Sequence, residues 1–182
     1  EDLLWRDERR AVLVCGPAGV GKTALIHELA WRHEHDPQRS EQRRGKRRLH
    51  QLEPRLVVAG MSFVGEWEKR FEAILKELHR RDHVLVLTDL LDLFRAGRSS
   101  RSDTSLATML RPEIQRGRLR VVAEATPEIW RRVCEEDRGF AELFKVVRLE
   151  PLDEAATLSV MIRAQRPLER DHDVDVRPET LA

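Results

Sequence analysis

An eight-residue stretch near the start of the chain limits the possible folds more than any other feature. It reads Gly-Pro-Ala-Gly-Val-Gly-Lys-Thr over Gly16–Thr23 and matches the pattern G-x-x-x-x-G-K-[ST] in full. The Val-rich run Ala11–Cys15 precedes it, and a helical pattern over Thr23–His35 follows it. A glycine-rich turn between a buried strand and a helix is the context of a phosphate-binding P-loop. The chain is therefore predicted to adopt an α/β P-loop fold and to bind a nucleoside triphosphate.

The residues of this loop predict how it holds its ligand. Gly16, Gly19 and Gly21 allow successive backbone N–H groups to converge on phosphate oxygens, and the positive end of the following helix adds to that field. Lys22 is expected to reach the β- and γ-phosphates, and the Thr23 hydroxyl to ligate Mg²⁺. We predict an ATP·Mg²⁺ site formed by Gly16, Pro17, Ala18, Gly19, Val20, Gly21, Lys22, Thr23 and Ala24.

Short runs rich in Val and Leu alternate with helical patterns along the rest of the chain. Near-continuous apolar runs of this length are typical of strands buried on both faces of a parallel sheet. The predicted strands are Ala11–Cys15, Val84–Thr88, Leu119–Ala123 and Phe144–Leu149. The predicted helices between them are Thr23–His35, Glu66–Arg80, Thr104–Arg116 and Glu128–Glu136. This alternation predicts a three-layer α/β sandwich with a mostly parallel sheet over residues 1–150.

The pattern changes after Pro151. It becomes helical only, from Asp153 to about Gln165, which predicts that a second, helical subdomain begins in residues 151–182. The chain does not start with Met and stops within what looks like the start of a helix, so we expect it to be part of a longer protein.

Charge and cysteine content narrow the functional classes. Lys and Arg number 33 against 32 Asp and Glu, a formal net charge of +1 that argues against a general polyanion binder. The Arg-rich segment Arg39–Arg48 can be interpreted as a nucleic-acid-binding loop or as a solvated connection, and the near-neutral charge favours the connection.

Cys15 and Cys134 lie far apart in sequence, and a reduced, cytoplasmic setting is the simpler inference. No apolar stretch approaches the roughly 20 residues of a membrane span.

An acidic residue stands at the end of the second predicted strand. Asp89 comes directly after Val84–Thr88, where P-loop enzymes place an Asp that holds the metal. An Asp after a strand is common, but its position beyond a complete P-loop makes it a candidate ligand. We therefore predict that Thr23 and Asp89 together serve the Mg²⁺ ion.

Four segments in the same order resemble the motifs of Clp-type AAA+ chaperones. Leu56–Phe71 (LVVAGMSFVGEWEKRF) is similar to the family pattern LVAG-x-x-aromatic-x-GEFE-x-R, and Met109–Arg120 (MLRPEIQRGRLR) to MLKP-x-L-x-RGELR. Ala125–Arg131 (ATPEIWR) is similar to TTLDEYR, and Leu149–Pro151 to the segment that leads into the lid. With the P-loop, the resemblance covers nearly the whole chain.

The resemblance implies an AAA+ large subdomain with five strands, followed by the start of the helical lid. It changes one strand assignment: composition alone makes Arg55–Ala59 a strand, whereas the family places the second strand nearer Arg48–Leu52. Leu56–Gly60 then leads into a loop that faces the pore of a ring. The resemblance also implies hexameric assembly and a polypeptide client, which the pore loop would grip. The pore-loop residues are Ser62, Phe63, Val64 and Gly65.

The hydrolytic positions depart from the family pattern. Leu90 stands where the family has a water-polarising Glu, and loss of such a base typically costs about 10²–10⁴ in rate. Ala125 replaces the Thr that senses the γ-phosphate, although Thr126 is a neighbouring hydroxyl. Glu142 and Leu143 replace two arginines, and an arginine finger contributes about 10³–10⁵ in kcat.

These departures leave three hypotheses open. The first is a Clp-like module that binds ATP and hydrolyses it poorly or not at all. The second is an active protein-remodelling ATPase, with Asp92 or Glu124 replacing the missing Glu. The third is a nucleic-acid-dependent P-loop ATPase that uses the Arg39–Arg48 segment, although we expect no nucleic-acid partner.

Overall fold

The computed structural model describes residues 11–35, 47–61, 65–99 and 102–177. It divides the chain into two compact units, Glu1–Leu149 and Glu150–Ala182. The strands of the first unit are β1 (Ala11–Cys15), β2 (Leu49–Leu52), β3 (Val84–Leu87), β4 (Arg120–Ala125) and β5 (Phe144–Arg148). Its helices are α1 (Lys22–His35), α2 (Pro54–Val58), α3 (Glu66–Arg81), α4 (Leu90–Arg95), α5 (Leu106–Gln115), α6 (Pro127–Glu136) and α7 (Arg138–Ala141). The second unit contains α8 (Glu154–His172).

The five strands form one sheet in the order β2-β3-β4-β1-β5, and every neighbouring pair is parallel. Successive side chains of a strand point to opposite faces of a sheet. In β3, Val84 and Val86 pack with Ile26 of α1 on one face. Leu85 and Leu87 belong to the larger core on the other face, to which α3, α4, α5 and α6 contribute. The predicted three-layer α/β fold with a five-stranded sheet is therefore confirmed.

The second strand lies where the family resemblance placed it, and the strand predicted from composition at Arg55–Ala59 is wrong. β2 pairs with β3 through Leu49 to Leu52, while the following Val-rich segment is the short helix α2. Pro54 explains the change, because proline at a first helical position has a preset φ and no N–H left unbonded. A run of apolar residues this short does not distinguish a strand from a buried helix.

The described part of the second unit is a solvated helix. Asp153 caps α8 by accepting a hydrogen bond from the Ala156 N–H at 2.7 Å, and no residue of the helix is buried. It extends seven residues beyond the predicted end at Gln165, to His172. That this unit is the start of a helical lid stays a prediction. Among the described residues, no helix is both long and apolar enough to cross a membrane.

Candidate functional site

The P-loop begins at a residue held between two strands. Because β1 lies between β4 and β5, the loop leaves the sheet with a strand end on either side. The Gly16 N–H donates to the Ala125 carbonyl at 3.2 Å, and the Leu149 N–H donates to the Cys15 carbonyl at 2.8 Å. Gly16 is buried, and a methyl group added to it would lie closer than 3.0 Å to the Leu149 carbonyl oxygen. The start of the loop is therefore fixed by backbone packing that only glycine permits.

Beyond Gly16 the loop is open and its conformation depends on glycine. Gly19 and Gly21 have φ values of 77° and 95°, in the left-handed region that glycine adopts without strain. Lys22 starts α1, and its ammonium group donates to the carbonyl oxygens of Gly16 at 3.0 Å and Pro17 at 2.7 Å. Both acceptors are neutral, and an anionic phosphate would bind the same ammonium group more strongly, because both partners would then be charged. The loop thus carries a cation that a phosphate group can attract.

The Thr23 hydroxyl is held by an acid from β4. Thr23 is the second residue of α1, and its Oγ1 donates to the carboxylate of Glu124, with both carboxylate oxygens at 2.9 Å. Glu124 lies opposite Val14 of β1 in the sheet register, one residue before the end of β4. The sequence suggested Glu124 only as a replacement base and did not predict this contact. It follows from the adjacency of β1 and β4, which no sequence motif encodes.

Asp89 and Asp92 are engaged at the start of α4. Asp89 caps this helix by accepting from the Asp92 N–H at 3.0 Å, and its side chain lies at the exposed end of β3. The buried carboxylate of Asp92 accepts from the Arg55 guanidinium of α2. That hydrogen bond and the charge of Asp92 raise the pKa of Arg55. Of the two acids considered as replacement bases, Asp92 is thus ion-paired with a residue of α2, whereas Glu124 contacts the P-loop.

The donor set at this edge of the sheet fits a magnesium–nucleotide complex. Mg²⁺ prefers oxygen ligands and is usually bound through one or two side chains together with substrate phosphates and water. Glu124 lies near the end of β4, Asp89 follows β3, and Thr23 comes after the loop that follows β1; these three strands are parallel neighbours whose carboxyl ends share one edge of the sheet. Among the described residues no group of three or more His, Cys, Asp and Glu side chains could hold a metal ion. A divalent ion here would therefore take part of its coordination from the nucleotide.

The side chains at the substituted positions serve the fold. Leu90 is fully buried in the main core, at 0% exposure, and Ala125 is buried beside the P-loop. The Thr126 hydroxyl caps α6, accepting from the Ile129 N–H at 3.3 Å. The pKa of Glu128 is lowered by hydrogen bonds from its own backbone N–H and then from Thr126. Both hydrogen-bonding roles of the Thr126 hydroxyl are thus used within the helix cap.

The two positions where the family has arginines carry no cation. Glu142 is exposed and accepts from the guanidinium of Arg138 at 3.0 Å, one helical turn before it. Leu143 is half-buried and packs against the main core.

Most of the predicted pore loop and of the Arg-rich segment lies outside the described residues. Ser62, Phe63 and Val64 are not described, and Gly65 precedes α3 with a φ of 91°. Residues 39–46 of the Arg-rich segment are likewise not described. Of its last two arginines, Arg47 forms an ion pair with Asp82, which also pairs with the buried Arg120 of β4. Arg47 is therefore part of an ion-pair group with Asp82 and Arg120.

Comparison with known proteins identifies similar sequences and structures. Residues 12–131 match the sequence model of the protein family described as ATPase family associated with various cellular activities (AAA). Chaperone protein ClpB 2 of Parasynechococcus marenigrum is 31% identical over 179 residues, which are 98% of this chain and 20% of that protein. A probable ATP-dependent Clp protease ATP-binding subunit of Chlamydia pneumoniae is 25% identical over 179 residues, 98% of this chain and 21% of that protein. The chain thus spans about a fifth of the length of these relatives.

Solved structures of Hsp104 have the same fold. The S. cerevisiae Hsp104–ADP complex superposes with a TM-score of 0.75 at 25% identity, covering 97% of this chain and 24% of that one. The closed state of Hsp104 with ATPγS and FITC casein superposes with a TM-score of 0.81 at 25% identity, covering 97% and 30%.

Proposed function

This chain belongs to the AAA family of ATPases and is of the Clp type, and we propose that it is an ATP-binding module of a larger protein-remodelling protein whose hydrolytic step is impaired. The ligand we propose is ATP with Mg²⁺, held by Gly16–Ala24 and Asp89. One observation carries the proposal. All residues of the P-loop that would bind phosphate are present, whereas the side chains at the positions where the family has hydrolytic groups are packed in the core or bonded to other residues.

Each substituted position supports this contrast in its own way. Leu90 has no proton acceptor and is buried in the core, so it cannot orient an attacking water. Ala125 has no hydroxyl for a γ-phosphate, and Thr126 uses its own in a helix cap. Glu142 presents a carboxylate where a cation would stabilise the charge of the transition state. The effects of such losses do not multiply simply, because catalytic groups act as a unit.

The assembly and client are further parts of the proposal. From the family and from the casein named with one Hsp104 structure, we propose a ring, hexameric as the resemblance implies, that handles polypeptides through Phe63. Both described cysteines are unbonded, which is compatible with a reduced, cytoplasmic setting. An active ATPase is the alternative, and it would require Glu124 to act on water. The comparisons do not favour a nucleic-acid-dependent ATPase.

ATP affinity and ATP turnover measured on one sample test the central proposal. The protein should bind a fluorescent ATP analogue in Mg²⁺ and turn ATP over at least about 10²-fold more slowly than an active Clp-type relative. Lys22→Ala should abolish binding, because it removes the cation from the loop, whereas Lys69→Ala on the surface of α3 should not. Turnover at the rate of an active relative, lost in Lys22→Ala, would show that the site is not impaired.

A further inference from the structure

Glu124 has a contact that the proposed nucleotide site does not by itself explain. Both of its carboxylate oxygens lie 2.9 Å from the Thr23 hydroxyl, across the boundary between β4 and α1. Thr23 is exposed, so this hydrogen bond is not needed to satisfy a buried polar group. Glu124, a half-buried residue of β4, therefore holds the hydroxyl of Thr23, which is the one side-chain hydroxyl of the P-loop.

The other two acids near the site, Asp89 and Asp92, have different hydrogen-bond partners. Asp89 accepts from a backbone N–H at the start of α4, and Asp92 is paired with Arg55. Of these three acids, Glu124 is the one that contacts Thr23. The metal ligands predicted from the sequence, Thr23 and Asp89, did not include this acid.

The chemistry of a hydroxyl group gives the contact a role. Thr Oγ1 carries one hydrogen and two acceptor lone pairs. Donating the hydrogen to Glu124 fixes the rotation of the hydroxyl and leaves its lone pairs for a cation. The negative charge behind the hydroxyl strengthens the same interaction, as partners of metal ligands do in metal sites. Cations are favoured wherever an opposite charge lies within a few ångströms.

We propose that Glu124 is a positioning residue for the divalent cation of the nucleotide site and that it acts through Thr23. This inference rests on the proposed ATP binding and adds a second acid to the cation's surroundings. It assigns Glu124 to cation binding and not to activation of water. Its consequence is specific: Glu124 should matter for nucleotide affinity in Mg²⁺ and not in its absence.

The test is the affinity for a fluorescent ATP analogue, measured in Mg²⁺ and again in EDTA. Glu124→Ala should reduce the gain in affinity due to Mg²⁺ about 10–100-fold, the range seen when the partner of a metal ligand is removed. Glu124→Gln keeps an acceptor oxygen but no charge, so its loss should be intermediate. Glu28→Ala removes an exposed acid from α1, the helix that carries Thr23, and should leave both affinities unchanged.

A double substitution tests whether Glu124 acts through the hydroxyl. Thr23→Ala should lose most of the Mg²⁺-dependent gain, and adding Glu124→Ala to it should remove little more. Equal losses in Mg²⁺ and EDTA would make Glu124 a structural residue and overturn the inference, as would an unchanged Mg²⁺ dependence. If the unsubstituted protein binds no ATP under either condition, the proposed function itself fails and this inference falls with it.

Discussion

Replacing Gly16 with alanine should destabilise the first unit, because the structure leaves no room for the added methyl group. That group would lie closer than 3.0 Å to the Leu149 carbonyl oxygen and at 3.0 Å from Cγ1 of Val20. A carbonyl oxygen of the backbone cannot rotate away as a flexible side chain can. Relief therefore requires β5 or the P-loop to shift, and the hydrogen bond from Gly16 to Ala125 would be disturbed by either movement.

The size of the effect follows from two opposing terms. Adding a methylene-sized group to a packed interior typically costs about 1–3 kcal/mol, and the lower conformational entropy of alanine in the unfolded chain offsets about 0.4–1 kcal/mol. The midpoints of the two ranges, about 2 and about 0.7 kcal/mol, leave a net loss of about 1.3 kcal/mol. In a domain of this size that loss lowers the unfolding temperature by about 3–5 °C.

Thermal unfolding followed by circular dichroism measures this change, and Gly139→Ala is the matched control. A methyl group at Gly139 would meet the end of the Arg111 side chain, which can move, and would lie at an ordinary contact distance of 3.4 Å from a carboxylate oxygen of Asp137; Gly139 also lies within α7. Because alanine favours helix over glycine by roughly 0.5–1 kcal/mol, Gly139→Ala should be neutral or stabilising. If Gly16→Ala unfolds at the temperature of the unsubstituted protein, the P-loop is not held against Leu149 as described.

Acidification should destabilise the fold through His83, because burial, followed by the charges of His50 and neighbouring arginines, lowers the pKa of its imidazole. A folded-state pKa below the unfolded value of about 6.5 means that the stabilisation is present above pH 6.5 and is lost as pH falls through the folded pKa. The Nδ1 of His83 accepts from the Arg48 N–H at 3.2 Å. His83→Asn, which keeps an acceptor for that N–H, should flatten the dependence of unfolding temperature on pH between 7 and 5; an equally steep curve would exclude His83. If Phe63 has the proposed pore-loop role, Phe63→Ala should abolish polypeptide binding and leave ATP affinity unchanged, because the predicted pore loop is separate from the P-loop in sequence; casein binding that persists would contradict the proposed role.

The strands that surround the site could be predicted from the sequence because their signals are strong and local. β1 and β3 are continuous Val- and Leu-rich runs, and both lie within the predicted ranges. β2 has mostly polar or half-buried residues in the pattern LHQL, so only the family resemblance located it. The helix α4 was missed because six residues are too few for a helical period to appear.

Contacts between distant residues could not be predicted from local signals. Thr23 and Glu124 are separated by 101 positions, and their hydrogen bond depends on the order of strands in the sheet. The ion pair of Arg55 with Asp92 joins α2 to α4 in the same way. The sequence could nominate Asp92 and Glu124 as acids near the phosphate site. Their different partners, which separate the two candidates, required the three-dimensional structure.

The structure gives a physical reason for the proposed combination of nucleotide binding with weak turnover. The phosphate-binding loop is part of the fold, since Gly16 packs between two strands and Lys22 begins α1. Replacement there would cost stability as well as affinity. At position 90 the fold favours the residue that departs from the family pattern. Complete burial of a leucine contributes about 1.5–3 kcal/mol, whereas a charged glutamate at the same buried position would need a partner. Under the proposed function, in which hydrolysis is not required, stability favours a leucine at position 90 and a glycine at position 16.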